Sequence, residues 1–187
     1  QRLLSMSADA PDTPDLTFRL AELYWEEAKA YFFEENRRDD DIFRARANGD
    51  QAAIARAEQA KKESQEGTRQ YQKLAIEQYS TIIRKYPQYS RMDEVLFYLA
   101  KTMSDAGQDK NALTVYKKLI KDHQNSKFLP DAYIAVGQYY FNNGSTNPSF
   151  LPKALLAFQE ASKFTESKIY GYALYLQGWC YFNMADH

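Results

Sequence analysis

A chain of 187 residues with a net charge of −1 and a pI near 6.2 carries no field that would hold nucleic acid or an anionic membrane. Its 44% hydrophobic and 26% charged content is that of an ordinary folded protein, and no run of 18 or more apolar residues offers a membrane span. One cysteine, Cys180, excludes an internal disulfide but not an oxidising compartment, and two histidines, His123 and His187, allow no zinc spacing.

Residues 1–13 hold turn formers and little periodicity, so they read as a lead-in with a short helix over Arg2 to Met6. The chain begins at Gln1 without a basic and apolar leader, which suggests a mature or trimmed piece. Pro14 stands at a favourable first helical position, and Leu16, Leu20, Ala21, Tyr24, Trp25, Ala28, Tyr31 and Phe32 then recur at the helical period. Neither Pro nor Gly follows until Asn48-Gly49-Asp50, where Asn-Gly stops a helix and Asp caps the next. The spacing predicts an antiparallel hairpin of two helices of about 35 residues, on the order of 50 Å each.

Along this arm Ile42, Phe43 and Ala45 are expected to face Ala52, Ala53, Ile54 and Ala57. Glu34 to Asp41 offers no apolar residue, so the distal seam should be thin, and Gly67 weakens the return helix. Two uses of the arm stay open: a solvated spacer held by i, i+4 charge pairs, or a dedicated partner site. The return helix carries Tyr71, Leu74, Ala75, Ile76, Tyr79, Ile82 and Ile83 and closes at Pro87.

From Asp93 to Gln124 the pattern shortens. Leu96, Leu99, Ala100 and Met103 line one helix face; Gly107 breaks it; Ala112, Val115, Tyr116, Leu119 and Ile120 line a second, with Lys117, Lys118 and Lys121 on the wet side. About 34 residues cannot bury two such stripes alone, so copies must stack on both sides. A connector, Asn125 to Pro130, leads to a helix from Asp131 to about Asn142. A longer turn over Gly144 to Leu151 then leads to a helix carrying Ala154, Leu155, Phe158 and Ala161. Asn143-Gly144-Ser145 fits the glycosylation triplet and is read as turn chemistry. The last helix, Ile169 to Met184, is aromatic or apolar on most sides and stops before any partner helix. Terminal repeats normally show a polar outer face, so the natural chain is expected to continue, or another chain or a second copy to cover this end.

No phosphate loop, dinucleotide fingerprint or nucleophile set appears, and Glu22, Glu26 and Glu27 share a helix without a pocket or metal partner. No catalytic residue, metal or cofactor is therefore expected. Cys180 reads as a small apolar group inside a helix stack.

The helices repeat in register. Leu20-Ala21, Leu99-Ala100, Val136-Gly137 and Gln177-Gly178 are each followed three residues on by a large side chain: Tyr24, Met103, Tyr140 and Tyr181. The second helices align on Ala75, Ala112 and Ala154, each followed by an aromatic (Tyr79, Tyr116, Phe158) and then by Ile82, Leu119 and Ala161. This pattern resembles the tetratricopeptide repeat family, over about three and a half repeats. The resemblance implies an all-α solenoid of helix-turn-helix repeats with the long helical hairpin inserted in the first. The division is a lead-in at 1–13, repeat one at 14–92 with an insertion at about 34–69, repeat two at 93–129, repeat three at 130–168 and a first helix only at 169–187.

It also implies a groove lined by first helices. Carried over by position, the groove-facing residues are Phe18, Glu22, Trp25 and Glu26 in repeat one; Phe97, Lys101, Ser104 and Asp105 in repeat two; and Ile134, Gln138, Phe141 and Asn142 in repeat three. The last helix adds Tyr175, Trp179, Phe182 and Asn183. Apart from Lys101 the cations of carboxylate-clamping members are missing, so a protein or peptide with apolar anchors and a basic residue suits the groove better. These aromatics either face a partner or pack between neighbouring first helices, and both stay open. The phrases DLTFRLAELYWE, YPQYSRMDEVLFYLAK and ALYLQGWCYFNMAD are similar to tetratricopeptide proteins of the Gram-negative envelope, of the BamD/YbgF type. The implied setting is the periplasm or the periplasmic face of the outer membrane, with the cytoplasm as the alternative. The implied role is a non-catalytic scaffold in an envelope machine, with a structural spacer or a targeting subunit for a cell-wall enzyme as rivals.

Overall fold

The computed structural model describes residues 13–185. The helix read over Arg2 to Met6 lies outside the described residues. Every regular element among them is an α-helix, and the chain divides into two compact units between Tyr89 and Ser90.

The first unit is a hairpin of α1 (Thr13–Ala47) and α2 (Gln51–Lys85), 35 residues each. Its turn works as the sequence dictates. Gly49 takes φ +68°, its N–H donates to the Arg46 carbonyl, and the Asp50 N–H donates to the Ala45 carbonyl, which satisfies the last carbonyls of α1. Asp50 then caps α2, its carboxylate accepting from the Ala53 N–H at 2.9 Å.

Near the chain ends the hairpin is greasy. Phe18 and Tyr79 are fully buried and meet edge to face at 5.8 Å, and Tyr31 stacks on Tyr71 at 5.5 Å. Gly67 has a packing role: a Cβ there would sit 2.5 Å from the Tyr31 ring, so the residue that costs helix propensity admits the aromatic pair. Farther out, Ile42, Ala45 and Ala57 are buried as expected, but Phe43 is 75% exposed and Ala52 is exposed. Phe43 directly follows Ile42, so on α1 it points about 100° away from the buried position.

The seam that hydropathy leaves thin is closed by polar partners. Lys61 Nζ pairs with Asp39 at 2.6 Å, Gln65 Nε2 donates to Glu35 at 2.8 Å and Arg46 pairs with Glu58 at 3.0 Å. The buried hydroxyls of Ser64 and Thr68 donate back to the carbonyls of Ala60 and Ser64. Exposed pairs of this kind each contribute about 0–1 kcal/mol, so they fix register more than they add stability.

The second unit comprises α3 (Met92–Asp105), α4 (Asp109–Asp122), α5 (Leu129–Asn142), α6 (Phe150–Ala161) and α7 (Tyr170–Ala185). Each helix packs on the next in chain order, as in a helical solenoid. Gly107, at φ +73°, ends α3 with the same pair of hydrogen bonds seen at Gly49, here to Ser104 and Met103. Ser126 ties the α4–α5 connector back, its hydroxyl donating to Asp93 at 2.7 Å while accepting from the Phe128 N–H.

The core joining α5, α6 and α7 contains Ile134, Ala154, Phe158, Ala161, Ala173, Leu176 and Cys180. Gly137 is part of the same fit, because a Cβ on it would fall within the Phe158 ring. Burial pushes the Cys180 thiol up to about 11, leaving roughly one thiolate in a thousand at pH 8. Ellman's reagent should therefore label native protein far more slowly than denaturant-unfolded protein. Equal rates would place this sulfur at the surface.

Candidate functional site

α7 buries one stripe, Ala173, Leu176 and Cys180, against α6 and α5, which is as much of its surface as two neighbours can cover. The face beside it carries Tyr172, Tyr175, Trp179 and Phe182 at i, i+3, i+7 and i+10. Their rings touch in sequence: Tyr172 stacks on Tyr175 at 6.3 Å, and Trp179 meets Tyr175 and Phe182 edge to face at 6.2 and 5.8 Å. Tyr175, Trp179 and Phe182 are 59, 44 and 60% exposed, so this is a row of apolar rings in solvent.

The row connects to a cavity. Gln138 on α5 donates to the Tyr172 hydroxyl at 3.0 Å and also lines a recess of about 140 Å³ between α3, α4 and α5. Ser104 enters it from α3, Asp109 and Tyr116 from α4, and Tyr139, Asn142 and Asn143 from α5 and the turn after it. The Ser104 hydroxyl donates to the Asp109 carboxylate at 3.3 Å, and the Asn143 amide donates to the Tyr139 carbonyl at 2.8 Å. Burial, then the charges of Asp105 and Asp131, hold the Tyr116 phenol protonated well above the usual tyrosine range.

Of the residues expected on the groove, Tyr175, Trp179 and Phe182 lie on the exposed row, and Gln138, Ser104 and Asn142 line the recess. Lys101 is half-buried on α3. Phe97 is half-buried too, stacked face to face on Phe128 at 4.5 Å with Tyr116 at its edge, and Phe141 packs on the α5–α7 core. Two positions are corrected. Phe18 is fully buried under Tyr79 and Tyr89, and Ile134 is buried among Phe158, Ala173 and Leu176. Both stand three residues before the small residue of their helix, where the following elements cover them, so they are stacking residues and not surface contacts. In the first unit, Glu22 pairs with Arg19 at 3.2 Å, and Lys29 Nζ lies 3.6 Å over the half-buried Trp25 ring.

Sequence reasoning misses Tyr172, Asp109, Tyr116, Tyr139 and Asn143. Tyr172 could have been found by extending the 3–4 aromatic spacing one step back from Tyr175. Tyr116 carries the periodicity of a core aromatic, and nothing in that periodicity shows that a recess opens beside it.

Residues 94–126, spanning most of α3, all of α4 and the start of the connector, match the family model described as Tetratricopeptide repeat. Such repeats generally mediate protein–protein interaction. No curated protein matches the chain. Among the described residues, no helix is long and apolar enough to cross a membrane, and no three His, Cys, Asp or Glu side chains lie together as a metal site would require.

Proposed function

We propose that the protein is a non-catalytic scaffold that captures a segment of a partner protein along α7 and the adjoining recess. The observation that carries this reading is the exposed ladder Tyr172–Tyr175–Trp179–Phe182. Ordered aromatic rings are rigid, lose little conformational entropy on docking and supply most of the energy of protein interfaces. The repeat match at 94–126 supports it from the side of the fold.

The arm is a second contact element in this reading, because Phe32, Phe33 and Phe43 expose 49, 68 and 75% of their surface along it. The setting we propose is a multiprotein assembly of the bacterial cell envelope, on its periplasmic side. Its support is the similarity of the connector and first-helix phrases alone.

The test is affinity capture from envelope extracts with two variants whose folding is verified by circular dichroism. Trp179→Ala with Phe182→Ala is expected to lose the principal partner, and Phe33→Ser with Phe43→Ser to keep it. Loss from the arm variant alone would move the site to the arm. Loss from neither would leave the chain a structural spacer.

A further inference from the structure

We propose that the recess between α3, α4 and α5 is a receptor for one cationic side chain, lysine or arginine, of the segment that docks on α7. This deepens the capture reading and rests on it for the rest of the segment.

Size comes first. About 140 Å³ is well below the roughly 300–1,000 Å³ of pockets that hold whole small molecules, and with about 30 Å³ per water it suits a single side-chain head.

Chemistry comes second. Asp109 contributes a carboxylate, and the hydroxyl hydrogen of Ser104 is already committed to it. The orientation of Asn143 is fixed because its amide nitrogen faces the Tyr139 carbonyl, which leaves Oδ1 as an acceptor. Gln138 likewise turns its amide nitrogen to Tyr172. The acceptors in the lining, the Asp109 carboxylate first among them, match an ammonium or guanidinium group, which only donates.

Charge agrees. Asp109 lines the recess, and the charges of Asp105 and Asp131 act on its Tyr116 floor, with Lys101 as a cation acting on Asp131.

The independent sign is Tyr116 itself. Its side chain is 6% exposed, it lines the recess, and its hydroxyl makes no hydrogen bond among the described residues. The oxygen opens into the recess, and an entering donor would give it a protein partner in place of solvent. Gln138 sets the reach, since it touches both the recess and Tyr172. A cation a few residues from an apolar anchor could engage both at once.

The experiment uses the full chain, labelled with nitrogen-15, and follows amide shifts on titration. The probes are Nα-acetyl-lysinamide and Nα-acetyl-argininamide, their uncharged counterparts Nα-acetyl-norleucinamide and Nα-acetyl-citrullinamide, and Nα-acetyl-glutamate amide. The cationic pair should shift Ser104, Asp109 and Asn143, and the uncharged pair should bind at least about ten-fold more weakly. Glutamate amide should leave these signals still. Asp109→Asn should weaken the cationic pair by about ten-fold, and Tyr116→Phe, which keeps the ring, by a few-fold.

Norleucinamide binding as well as lysinamide, or cationic probes shifting only residues elsewhere or none, overturns the proposal. If Asp109→Asn melts early, Tyr116→Phe decides alone, and unchanged affinity in it counts against the site. Loss of partner capture on substituting Trp179 and Phe182, together with silent probes, sinks the cation receptor and leaves the capture reading. Pocket shifts with capture unaffected by those substitutions do the reverse.

Discussion

Replacing Gly137 with alanine lowers the thermal midpoint of the protein, whereas replacing Gly178 with alanine raises it. The two glycines hold the same register position in successive first helices, and both lie inside a helix, where alanine is favoured over glycine by about 1 kcal/mol. Their surroundings decide the sign. A methyl on Gly137 would overlap the ring of Phe158, which is fully buried against Ala154, Ala161, Ala173 and Cys180 and has nowhere to turn. Overpacking of this kind costs about 1–3 kcal/mol, and more where the displaced group cannot move.

The strain exceeds the propensity gain, and a leucine at the same place is expected to prevent α6 from docking. A methyl on Gly178 meets nothing within 4 Å, so only the propensity gain remains. With roughly 4–8 °C per kcal/mol for a unit near 100 residues, the midpoints should separate by about 10 °C. Trimming the ring with Phe158→Leu should return part of the loss in Gly137→Ala and none in wild type. Gly137→Ala as stable as wild type would mean that α5 and α6 do not pack as described.

The sequence makes this contact legible because small residue and aromatic recur together: Ala21 with Tyr79, Ala100 with Tyr116, Gly137 with Phe158. Helix lengths and the turns at Gly49 and Gly107 are legible for a similar reason, since a few residues with strong local preferences decide each. The arm seam is not. Asp39, Glu35 and Glu58 are merely polar in a hydropathy pattern. Their partners Lys61, Gln65 and Arg46 follow only from the antiparallel register, which a count of apolar residues does not encode.

The candidate site is half legible. Position relative to the small residue finds Gln138 on α5 and Trp179 and Phe182 on α7, because a single face of its own helix decides each. The same rule misplaces Phe18 and Ile134, because the position three before that residue is covered wherever another element packs over it. The recess depends on three helices at once, so no single periodic stripe reveals it.

Phe18→Ala should unfold the base of the first unit and not merely weaken a binding surface. Its ring is fully buried, meets Tyr79 at 5.8 Å and Tyr89 at 6.5 Å, and sits beside the Tyr89 hydroxyl that donates to Asp15 at 2.6 Å. Removing a buried phenylalanine costs about 3–5 kcal/mol, which is a large share of the roughly 5–15 kcal/mol that holds a typical domain together. The loss would concentrate where α1, α2 and the segment ending at Tyr89 converge. Toward the tip, the two helices are held by separate groups: the Asp39–Lys61 and Arg46–Glu58 pairs and the buried Ile42 and Ala45.

Hydrogen exchange should accordingly rise first in residues 13–24 and 75–89, with a smaller rise near Gly49. Phe33→Ala supplies the contrast. That ring is 68% exposed on the same helix, and its loss should shift stability by no more than about 0.5 kcal/mol. Phe18→Leu should fall between them, since it keeps most of the apolar volume and loses the edge-to-face contacts, which add about 0.5–1.5 kcal/mol beyond area. A Phe18→Ala protein that melts like wild type yet fails to capture a partner would return this residue to a binding surface. That outcome would require Tyr79 and Tyr89 to open away from a ring they enclose.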